Sequence, residues 1–331
     1  MESSSNFPTS SAPTSSPDSS LVRLVEDIQH QIGRVIVGQH QMVELLLAGL
    51  LADGHILLEG VPGVAKTLTA RLLSKLVNAR FSRIQFTPDL MPSDVLGTSV
   101  FNPQQAEFQF KPGPVFSNLV LIDEINRAPA KTQAALFEVM EERQVTVDGR
   151  TYLMEAPFMV LATQNPIEQE GTYRLPEAQL DRFLMKIVIG YPTLEEEVKI
   201  LELHHGASAS EMLTDIHPII TPEALASARA QIAKLHIEPR LVQFIARLVH
   251  ETRNNAGLYL GASPRASIAL LKTAKSMAVL RGRTFVIPED VLEVAGPVLR
   301  HRIALSPEKE MEGSTTDEVV KEIIAKLEIP R

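Results

Sequence analysis

The stretch GVPGVAKT, from Gly60 to Thr67, contains the residue types that hold phosphate groups. It matches the pattern G-x-x-x-x-G-K-S/T except that Ala65 stands at the second glycine. Such a loop turns backbone N–H groups towards an anion at a helix N-terminus, where the helix dipole favours negative charge. Lys66 would reach the terminal phosphates of a nucleoside triphosphate, and the Thr67 hydroxyl would ligate Mg²⁺. We expect Ala65 to cost little, because the last loop residue before a helix should have helical backbone angles.

Two acidic residues, Asp123 and Glu124, follow the apolar run NLVLID. Carboxylates at the end of a buried strand are costly unless they meet a cation or polarise a water molecule. Asp123 would hold Mg²⁺ through its water shell, and Glu124 would orient and deprotonate an attacking water. An acidic surface turn is the alternative, and it is the weaker interpretation because the pair follows the loop by about sixty residues and an intervening strand. Together with GVPGVAKT, the pair predicts a site that binds and hydrolyses a nucleoside triphosphate.

Three further polar residues lie where they could act on phosphate. Asn165 follows the apolar run FMVLAT and could hold the attacking water. Arg182 precedes the run FLMKI, and Arg265 begins a helix in GASPRAS. Arginine is always charged and forks onto phosphate oxygens, so one could act within the chain and the other on a neighbour. Taken alone, Asn-Pro is an ordinary turn and each arginine an ordinary surface residue near a helix end.

Alternating strands and helices predict the scaffold for these residues. The short apolar runs that predict buried strands are HILLEG, FSRIQF, NLVLID, FMVLAT and FLMKIVIG. Helical stretches such as AKTQAALFEVMEE lie between them, so we expect an α/β domain with a mostly parallel sheet. The segment RQVTVDGRTYLM interrupts this alternation, and its Asp148-Gly149 pair predicts a hairpin.

The pattern changes near Thr193, after which amphipathic helices predominate. We therefore expect a Ser/Thr/Pro-rich disordered tail over residues 1–20 and the α/β domain over residues 21–192. A smaller all-helical domain would follow over residues 193–305, and residues 306–331 would form a charged linker with one last helix. The tail has neither the basic start nor the apolar centre of a signal peptide. A phosphorylated or partner-binding arm is the alternative interpretation of this tail.

The composition of the 331-residue chain limits the classes of function. Hydrophobic residues make up 44% of it, which is enough for a packed core. The net charge of −8 disfavours a duplex nucleic-acid binder, which normally needs a basic face. The sequence has no cysteine, so disulfides, zinc-thiolate sites and cysteine nucleophiles are excluded. The absence of cysteine fits a reducing compartment, and we expect a cytoplasmic protein. We expect no membrane span, because Glu44, Asp53 and His55 interrupt the most apolar run.

These motifs, taken in order, resemble those of AAA+ ATPases and more narrowly of the MoxR family. The resemblance extends from about Val35 to Arg265, over nearly all of the sequence that we expect to be ordered. The segments that carry it are VIVGQ, HILLEGVPGVAKT, FTPDLMPSDVLG, LIDEINRAPAKTQAALFEVMEERQVTVDG, PFMVLATQNPIEQEGTYRLPEAQLDRF and GASPRAS. It implies a P-loop NTPase core, a parallel sheet sandwiched by helices with inserted β-hairpins, plus a small all-α lid domain. Members of the family commonly carry alanine at the position of Ala65.

The resemblance also implies roles for individual residues. Asp123 and Glu124 would be the Walker B pair and Asn165 would be sensor 1. Arg182 would be the arginine finger that acts on ATP in the adjacent subunit, and Arg265 would be sensor 2 on the lid. The Walker A loop would comprise Gly60, Val61, Pro62, Gly63, Val64, Ala65, Lys66, Thr67 and Leu68.

Some implied contacts are less specific. Gly38 and Gln39 lie where such proteins contact adenine. Arg174 stands where the family usually has proline, so Arg174 and Arg127 remain alternatives for the arginine that enters a neighbouring site. In related proteins the hairpins of segment 94–110 and of QVTVDGRTYLM line a central pore or meet a partner. A decorative loop is the alternative for each.

The function that the resemblance implies is Mg²⁺-dependent ATP hydrolysis in a homo-oligomeric ring, expected to be a hexamer, whose lid closes over the nucleotide. Such rings act as chaperone-like remodellers or activators of a partner protein during maturation, cofactor insertion or complex assembly. The partner sometimes has a von Willebrand factor A domain. We expect neither nucleic acid nor membrane insertion. A metal-chelatase-like motor subunit, a DNA-acting ring motor and a small-molecule kinase remain alternatives.

Overall fold

A computed structural model describes residues 19–61, 63, 65–165, 173, 175–206 and 209–330. Residues 1–18 of the predicted tail lie outside this range, as do Pro62, Val64 and Arg174 of the predicted site. No helix in the described ranges is long and apolar enough to cross a membrane. The strands are β1 (Ile56–Gly60), β2 (Phe81–Gln85), β3 (Gly97–Asn102), β4 (Glu107–Pro112), β5 (Leu119–Asp123), β6 (Gln144–Val147), β7 (Arg150–Leu153), β8 (Met159–Gln164), β9 (Met185–Ile189), β10 (Leu258–Leu260) and β11 (Ala304–Leu305).

The helices begin at Ser19, directly after the part of the tail that is not described. A short 3₁₀ helix, Ile125–Arg127, follows β5. The α-helices are α1 (Ser19–Gly33), α2 (His40–Leu51), α3 (Lys66–Leu76), α4 (Pro92–Leu96), α5 (Ala130–Glu142), α6 (Glu177–Leu180), α7 (Leu194–Gly206), α8 (Ala209–Thr214), α9 (Pro222–Ala233), α10 (Pro239–Asn254), α11 (Pro264–Leu280), α12 (Pro288–Leu299), α13 (Pro307–Met311) and α14 (Thr316–Lys326).

Five strands form one sheet in the order β2-β5-β8-β1-β9. Every adjacent pair is parallel. Nearly all residues of β1, β5 and β8 are buried, as expected of strands that are covered on both faces. The α/β class predicted from the alternation of apolar runs and helices is thereby confirmed.

Successive residues of the strands enter two hydrophobic clusters on opposite faces of the sheet. Leu57 and Val120 pack in one cluster with Phe137 of α5. Leu58 and Leu121 pack in the other, together with α2, α3 and the helices that follow β9. This alternation follows from the two-residue period of a strand. Because both faces of the central strands β1, β5 and β8 are covered, their polar groups lie at the edges where these strands begin and end.

Two antiparallel hairpins project from the domain. One pairs β3 with β4, and the other pairs β6 with β7. The second turns at Asp148 and Gly149, whose φ angles are +51° and +74°, as a tight hairpin turn requires. The hairpins touch each other, because Phe110 stacks on Tyr152 with ring centroids 4.2 Å apart and Ser99 donates a hydrogen bond to Asp148. Both hairpins predicted from the sequence are therefore confirmed.

The C-terminal helices pack onto the side of the α/β domain. Helix α11 contacts α2, and α12 contacts β9 at the end of the sheet. Helix α14 contacts α10 and α12, and it buries Val319, Val320 and Ile323. The hydrophobic cluster is therefore continuous from the sheet to α14, which lies in the segment predicted as a charged linker with a last helix.

Candidate active site

The predicted phosphate-binding loop joins β1 to α3. Strand β1 ends at Gly60 and α3 begins at Lys66, so the strand, loop and helix follow in the predicted order. A Cβ atom at position 60 would lie 2.7 Å from the carbonyl oxygen of Ile189, and only glycine allows β1 and β9 to approach so closely. Gly63 has a φ of +88°, which glycine adopts freely. The loop therefore ends at a helix N-terminus, where an anion is favoured.

Ala65 has a left-handed backbone conformation, with φ 56° and ψ 18°. The expectation that its angles are those of a right-handed helix is therefore wrong. The left-handed conformation costs a residue with a Cβ atom about 1–2 kcal/mol, which glycine avoids. The chain changes hand here because successive left- and right-handed residues turn their N–H groups towards one point. The site thus keeps a strained residue where the general pattern has glycine.

Lys66 lies between the loop and the acidic residues of β5. Its Nζ donates a hydrogen bond to the carbonyl oxygen of Gly60 at 2.6 Å. Burial lowers the pKa of Lys66, and the negative charges of Asp123, Glu124 and Glu59 oppose this effect. One carbonyl satisfies only one of the three donors of an ammonium group. The side chain can therefore exchange this carbonyl for a phosphate oxygen.

Asp123 ends the buried strand β5, and its carboxylate is held by two neighbours. Arg83 Nε donates to Asp123 Oδ2 at 2.5 Å, and Thr163 Oγ1 donates to Oδ1 at 3.3 Å. Strand β2 brings Arg83 and strand β8 brings Thr163, because these strands flank β5 in the sheet. The carboxylate is thereby compensated, as a buried charge must be.

Glu124 follows Asp123 in a left-handed conformation with φ 56° and ψ 54°. Its Oε2 accepts a hydrogen bond from Gln85 Nε2 at 2.8 Å and lies 3.0 Å from Arg127 Nε. Its backbone N–H donates to Thr163 Oγ1 at 3.0 Å. Non-glycine residues with positive φ are strained and concentrate at functional sites. The turn separates the two carboxylates, so that each has its own set of partners.

These side chains surround one cavity of about 410 Å³ at the edge where the strands end. Eight of the sixteen predicted site residues line it. Gly60 and Val61 are not among the lining residues, although the carbonyl oxygen of Gly60 accepts the hydrogen bond of Lys66. The residues that line the cavity are Gly63, Ala65, Lys66, Thr67, Leu68, Arg83, Gln85, Asp123, Glu124, Thr163 and Asn165.

The donor atoms in this cavity suit a triphosphate with Mg²⁺. The Thr67 hydroxyl and the Asp123 carboxylate offer the oxygen ligands that Mg²⁺ prefers. Lys66 and the N-terminus of α3 supply positive charge for the phosphates. Nowhere in the described ranges do three or more His, Cys, Asp or Glu side chains form a group that could hold a metal. Mg²⁺ would therefore take its remaining ligands from phosphate and water, as it commonly does.

Three lining residues, Arg83, Gln85 and Thr163, were not predicted as site residues. Arg83 and Gln85 are exposed and flank the buried Ile84 of β2. Polar residues alternating with an apolar one in FSRIQF were a signal for an edge strand. Thr163 is the polar end of the apolar run FMVLAT, and this position could have been noted in the same way as Asn165.

Gly38 and Gln39, the predicted adenine contacts, do not line this cavity. Both have positive φ angles, at +67° and +54°, in the turn before α2. Gln39 Nε2 donates to the carbonyl oxygen of Gly190 at 3.1 Å. The carboxyl group of Glu196 in α7 lies beside Gly38, and the positive φ angle at this position favours glycine. The turn therefore touches the segment after β9, and its contact with adenine stays a prediction.

Arg182 and Arg265 lie together, at the opposite edge of the sheet from the cavity. Arg265 Nη2 donates to Glu141 Oε1 at 2.7 Å, and Arg182 Nε lies 3.6 Å from Glu141 Oε2. Glu141 is near the end of α5, where the carbonyl oxygen of Met140 meets His55 just before β1. The three charged groups thus lie where the strands begin.

This placement separates both arginines from the cavity of their own chain. A five-residue strand such as β9 spans about 16 Å, which exceeds the reach of an arginine side chain. The implied position of Arg265 on a lid that closes over this nucleotide site is therefore not what the structure shows. The reason is that α11 packs against α2, and Ser263 at its N-cap donates a hydrogen bond to Asp181 at 2.8 Å.

Comparisons with known proteins agree with this architecture. Residues 55–185 match the ATPase family associated with various cellular activities (AAA). Residues 250–323 match an AAA lid domain. The first match covers β1 to the start of β9, and the second includes α11, α12 and most of α14. Both the sheet and the helical part therefore have counterparts in AAA proteins.

Similarity to individual proteins extends over nearly the whole chain. The chain is 47% identical to the uncharacterized protein YeaC of Bacillus subtilis, over 92% of this chain and 93% of YeaC. It is 44% identical to Chaperone MoxR1 of Mycobacterium tuberculosis, over 94% of this chain and 83% of that protein. It belongs to the MoxR family of AAA+ ATPases. The fold and the family predicted from the sequence motifs are thereby confirmed.

A solved structure supports the same assignment. A candidate ATPase from Cytophaga hutchinsonii superimposes with a TM-score of 0.87 at 43% sequence identity. The match covers 94% of this MoxR family chain and 96% of that protein. The placement of the helices beside the sheet therefore agrees in overall fold with a related protein.

Proposed function

We propose that this MoxR family protein hydrolyses ATP to ADP and phosphate with Mg²⁺, in a homo-oligomeric ring that remodels or activates a partner protein. The observation that carries the proposal is the division of charged groups between two edges of the sheet. Lys66, Asp123 and Glu124 line a cavity at one edge. Arg182 and Arg265 lie at the other edge. Each chain would thus supply the cavity of one site and the arginines of the next, so that two neighbouring chains together complete each site.

The cavity supplies the groups that bind and activate. Lys66 and the N-terminus of α3 would neutralise the phosphates. Thr67 and Asp123 would hold Mg²⁺, which neutralises developing charge on the phosphate oxygens when it is bound. Arg83 must then leave the Asp123 carboxylate, because both cations compete for the same oxygen atoms. Arg83 is exposed and can move without disrupting the core.

Glu124 is the best placed general base. Its carboxylate lines the cavity and is held by Gln85 from the neighbouring strand. It would take the proton of the attacking water, while Asn165 on the adjacent strand end would orient that water. Asn165 is neutral and lines the same cavity, so it can hold a water molecule without neutralising the base.

A head-to-tail arrangement follows from the separation of the two edges. A heterologous contact places one edge of a subunit against the other edge of the next, and it closes into a ring when the rotation fits. Arg182 and Arg265 of one chain would then reach the terminal phosphate held by its neighbour. Arginines that stabilise the transferring phosphoryl group in this way raise the rate by about 10³- to 10⁵-fold. We propose six subunits, from the resemblance to AAA+ rings.

The partner would be a client protein, and one with a von Willebrand factor A domain is part of the proposal. The two hairpins are the candidate contact, because Phe101 and Phe108 are 51% and 68% exposed on the hairpin of β3 and β4. Exposed aromatic residues that touch each other, as these two do, are commonly used for contacts with other proteins. Since the reaction requires ATP, we place the protein in the cytoplasm.

A titration of protein concentration tests the completion of the site by a neighbour. With ATP and Mg²⁺ saturating, the rate per subunit should rise steeply with protein concentration and then become constant. Phosphate should be released without any added acceptor, because hydrolysis transfers the phosphoryl group to water. A kinase would need an acceptor molecule. A constant rate at all concentrations would mean that each chain is self-sufficient, and the proposal would be wrong.

A mixing experiment tests the division between the edges directly. Lys66→Ala removes the cation of the cavity, and Arg182→Ala removes an arginine of the opposite edge. Each variant alone should be inactive. Mixed rings contain some sites with an intact cavity from one variant and an intact arginine from the other, so activity should partly return. No return of activity in rings shown to be mixed would contradict completion in trans.

A further inference from the structure

Glu141 is shared by two arginines that come from different parts of the chain. Its Oε1 accepts from Arg265 Nη2 at 2.7 Å, and its Oε2 lies 3.6 Å from Arg182 Nε. Arg182 follows α6 of the α/β domain, whereas Arg265 is in the first turn of α11. A single carboxylate of α5 thus holds both groups side by side, on the edge away from the nucleotide cavity of the same chain.

The backbones that carry the two arginines are fixed independently of Glu141. Asp181 precedes Arg182, and its Oδ2 accepts from the N-cap residue Ser263 at 2.8 Å. Its Oδ1 accepts from Arg302 Nε at 2.7 Å, and the Arg302 side chain is only 3% exposed. Arg302 also donates to the carbonyl oxygens of Leu184 and Phe183. This network fixes the spacing of the two backbones, so Glu141 determines only where the side chains point.

The contacts of Glu141 are weak enough to be exchanged. The side chains of Glu141, Arg182 and Arg265 are 35%, 31% and 52% exposed. Ion pairs with this exposure are worth little, because water solvates both partners. A triphosphate carries more negative charge than one carboxylate and accepts bidentate hydrogen bonds from arginine. It can therefore take both arginines from Glu141.

We propose that Glu141 is a positioning residue that competes with nucleotide for these arginines. In the unassembled subunit it holds Arg182 and Arg265 together, and on assembly it yields them to the terminal phosphate bound by the neighbouring subunit. This inference rests on the proposed completion of the site in trans. It adds a competitor within the chain, which raises the ATP concentration at which the ring reaches half of its maximal rate.

The acidic end of α5 provides a matched control. Glu138 lies one turn before Glu141, and both line a second cavity beside Arg182, on the edge away from the nucleotide cavity. Among the contacts of the described residues, Glu141 pairs with both arginines and Glu138 pairs with neither. Glu141→Gln and Glu138→Gln remove the same charge from the same helix surface, but only the first removes the competitor.

The test measures the steady-state ATPase rate of the assembled protein against ATP concentration. Glu141→Gln should lower the ATP concentration at half-maximal rate about two- to fivefold, the range expected for loss of a partly exposed ion pair. Its maximal rate should not fall, because the Asp181 network still fixes the arginines. Glu138→Gln should match the unsubstituted protein. Glu141→Ala is a second variant that should shift the half-maximal concentration in the same direction.

Three results would overturn the proposal. An unchanged or raised half-maximal ATP concentration in Glu141→Gln would mean that Glu141 does not compete. An equal shift in Glu138→Gln would mean that only the general charge of α5 matters. A changed nucleotide affinity in dilute, unassembled Glu141→Gln would mean that the residue acts on the cavity of its own chain. A concentration-independent rate in the unsubstituted protein is a separate result, which refutes the proposed function and this inference with it.

Discussion

The two edges of the five-stranded sheet satisfy their polar groups in different ways. At the edge where the strands end, Asp123 and Glu124 are held by the exposed side chains Arg83 and Gln85. At the edge where the strands begin, His55 is buried. It donates from Nε2 to the carbonyl oxygen of Met140 and accepts at Nδ1 from the backbone of Val160. The first set of partners can be exchanged, whereas the second is built into the core.

The difference shows how one fold can both bind a ligand at one edge and position arginine side chains at the other. A site that takes up a cation and phosphates must offer groups whose present partners can leave. A surface that delivers arginines to another chain must instead hold their backbones still. Asp181 and Arg302 do this through hydrogen bonds to backbone and side chain in a nearly dry region. Rigid surroundings of this kind are what preorganised catalytic groups require.

At the edge where the strands begin, removal of an arginine should have the largest effect on turnover. Arg182→Ala should lower the maximal ATPase rate by about 10³-fold or more. Nucleotide binding to dilute subunits should not change, because the cavity of the same chain lies about one strand length away. Equilibrium binding of a fluorescent ATP analogue and steady-state turnover separate the two effects.

Arg240→Ala is the control for Arg182→Ala, since Arg240 is an exposed arginine at the start of α10. It should leave turnover unchanged. Normal hydrolysis by Arg182→Ala would remove Arg182 from the site. Arg127, which pairs with Glu124, and Arg174 would then be tested by the same pair of measurements.

At the edge where the strands end, loss of the general base should also reduce turnover without preventing ATP binding. Glu124→Gln should lower the maximal rate by about 10²- to 10⁴-fold, because glutamine cannot accept the proton of water. ATP should still bind, since Lys66 and Asp123 remain, and rings should accumulate in the ATP-bound form. Turnover and the proportion of assembled protein with ATP are the measurements.

Glu59→Gln is a matched control on the same edge. Glu59 pairs with Lys186 at 2.6 Å, between β1 and β9, and does not line the cavity. The Glu59 side chain is only 19% exposed, so its replacement can cost stability, but turnover of the folded protein should stay within about threefold. If Glu124→Gln turned over ATP as fast as Glu59→Gln, another group would have to be the base.

The sequence predicted the parts of this comparison that depend on local patterns. Continuous apolar runs indicated buried parallel strands, so the groups that follow them, such as Asp123 and Glu124, could be placed at one edge. The phosphate-binding loop was found because its residues are consecutive. Both predictions depend on spacing along the chain and not on packing between distant segments.

The remaining features depend on tertiary contacts. Arg83 meets Asp123 because β2 lies beside β5, and the strand order is not visible in the sequence. Arg265 meets Glu141 across 124 positions of the chain. The left-handed angles of Ala65 were mispredicted, because alanine in a loop gives no sign of a reversed backbone hand. Lid placement and arginine position were therefore beyond local patterns.

At the edge where the strands begin, the buried His55 should lower the free energy of unfolding at acidic pH. Burial lowers the pKa of His55 from 6.5 to about 4. Above pH 6.5 the residue is neutral in both states and has no effect on stability. As the pH falls from 6.5 towards 4, the unfolded chain takes up a proton and the folded chain does not, so the free energy of unfolding decreases. The loss due to His55 should be about 2 kcal/mol at pH 5.

Chemical denaturation of the unsubstituted protein and of His55→Gln at pH 7 and pH 5 measures this effect. Glutamine can also accept from Val160 and donate to Met140, but it does not titrate. The variant should therefore lose less stability than the unsubstituted protein over this pH range. Equal losses in the two proteins would show that other groups, such as the buried His301, account for the whole acid sensitivity.

The smallest expected effect concerns the strained backbone of Ala65, at the edge where the strands end. Ala65→Gly should raise the free energy of unfolding by about 0.5 kcal/mol. Relief of the left-handed conformation contributes about 1–2 kcal/mol, and the greater entropy of glycine in the unfolded chain offsets about half of it or more. Ala70→Gly is the matched control, because Ala70 is buried within α3 and has helical angles. That change should destabilise the protein by about 1–2 kcal/mol, from the helix propensity of glycine and the loss of a buried methyl group. Denaturation midpoints without nucleotide compare the two variants, and the same sign in both would mean that position 65 is not strained.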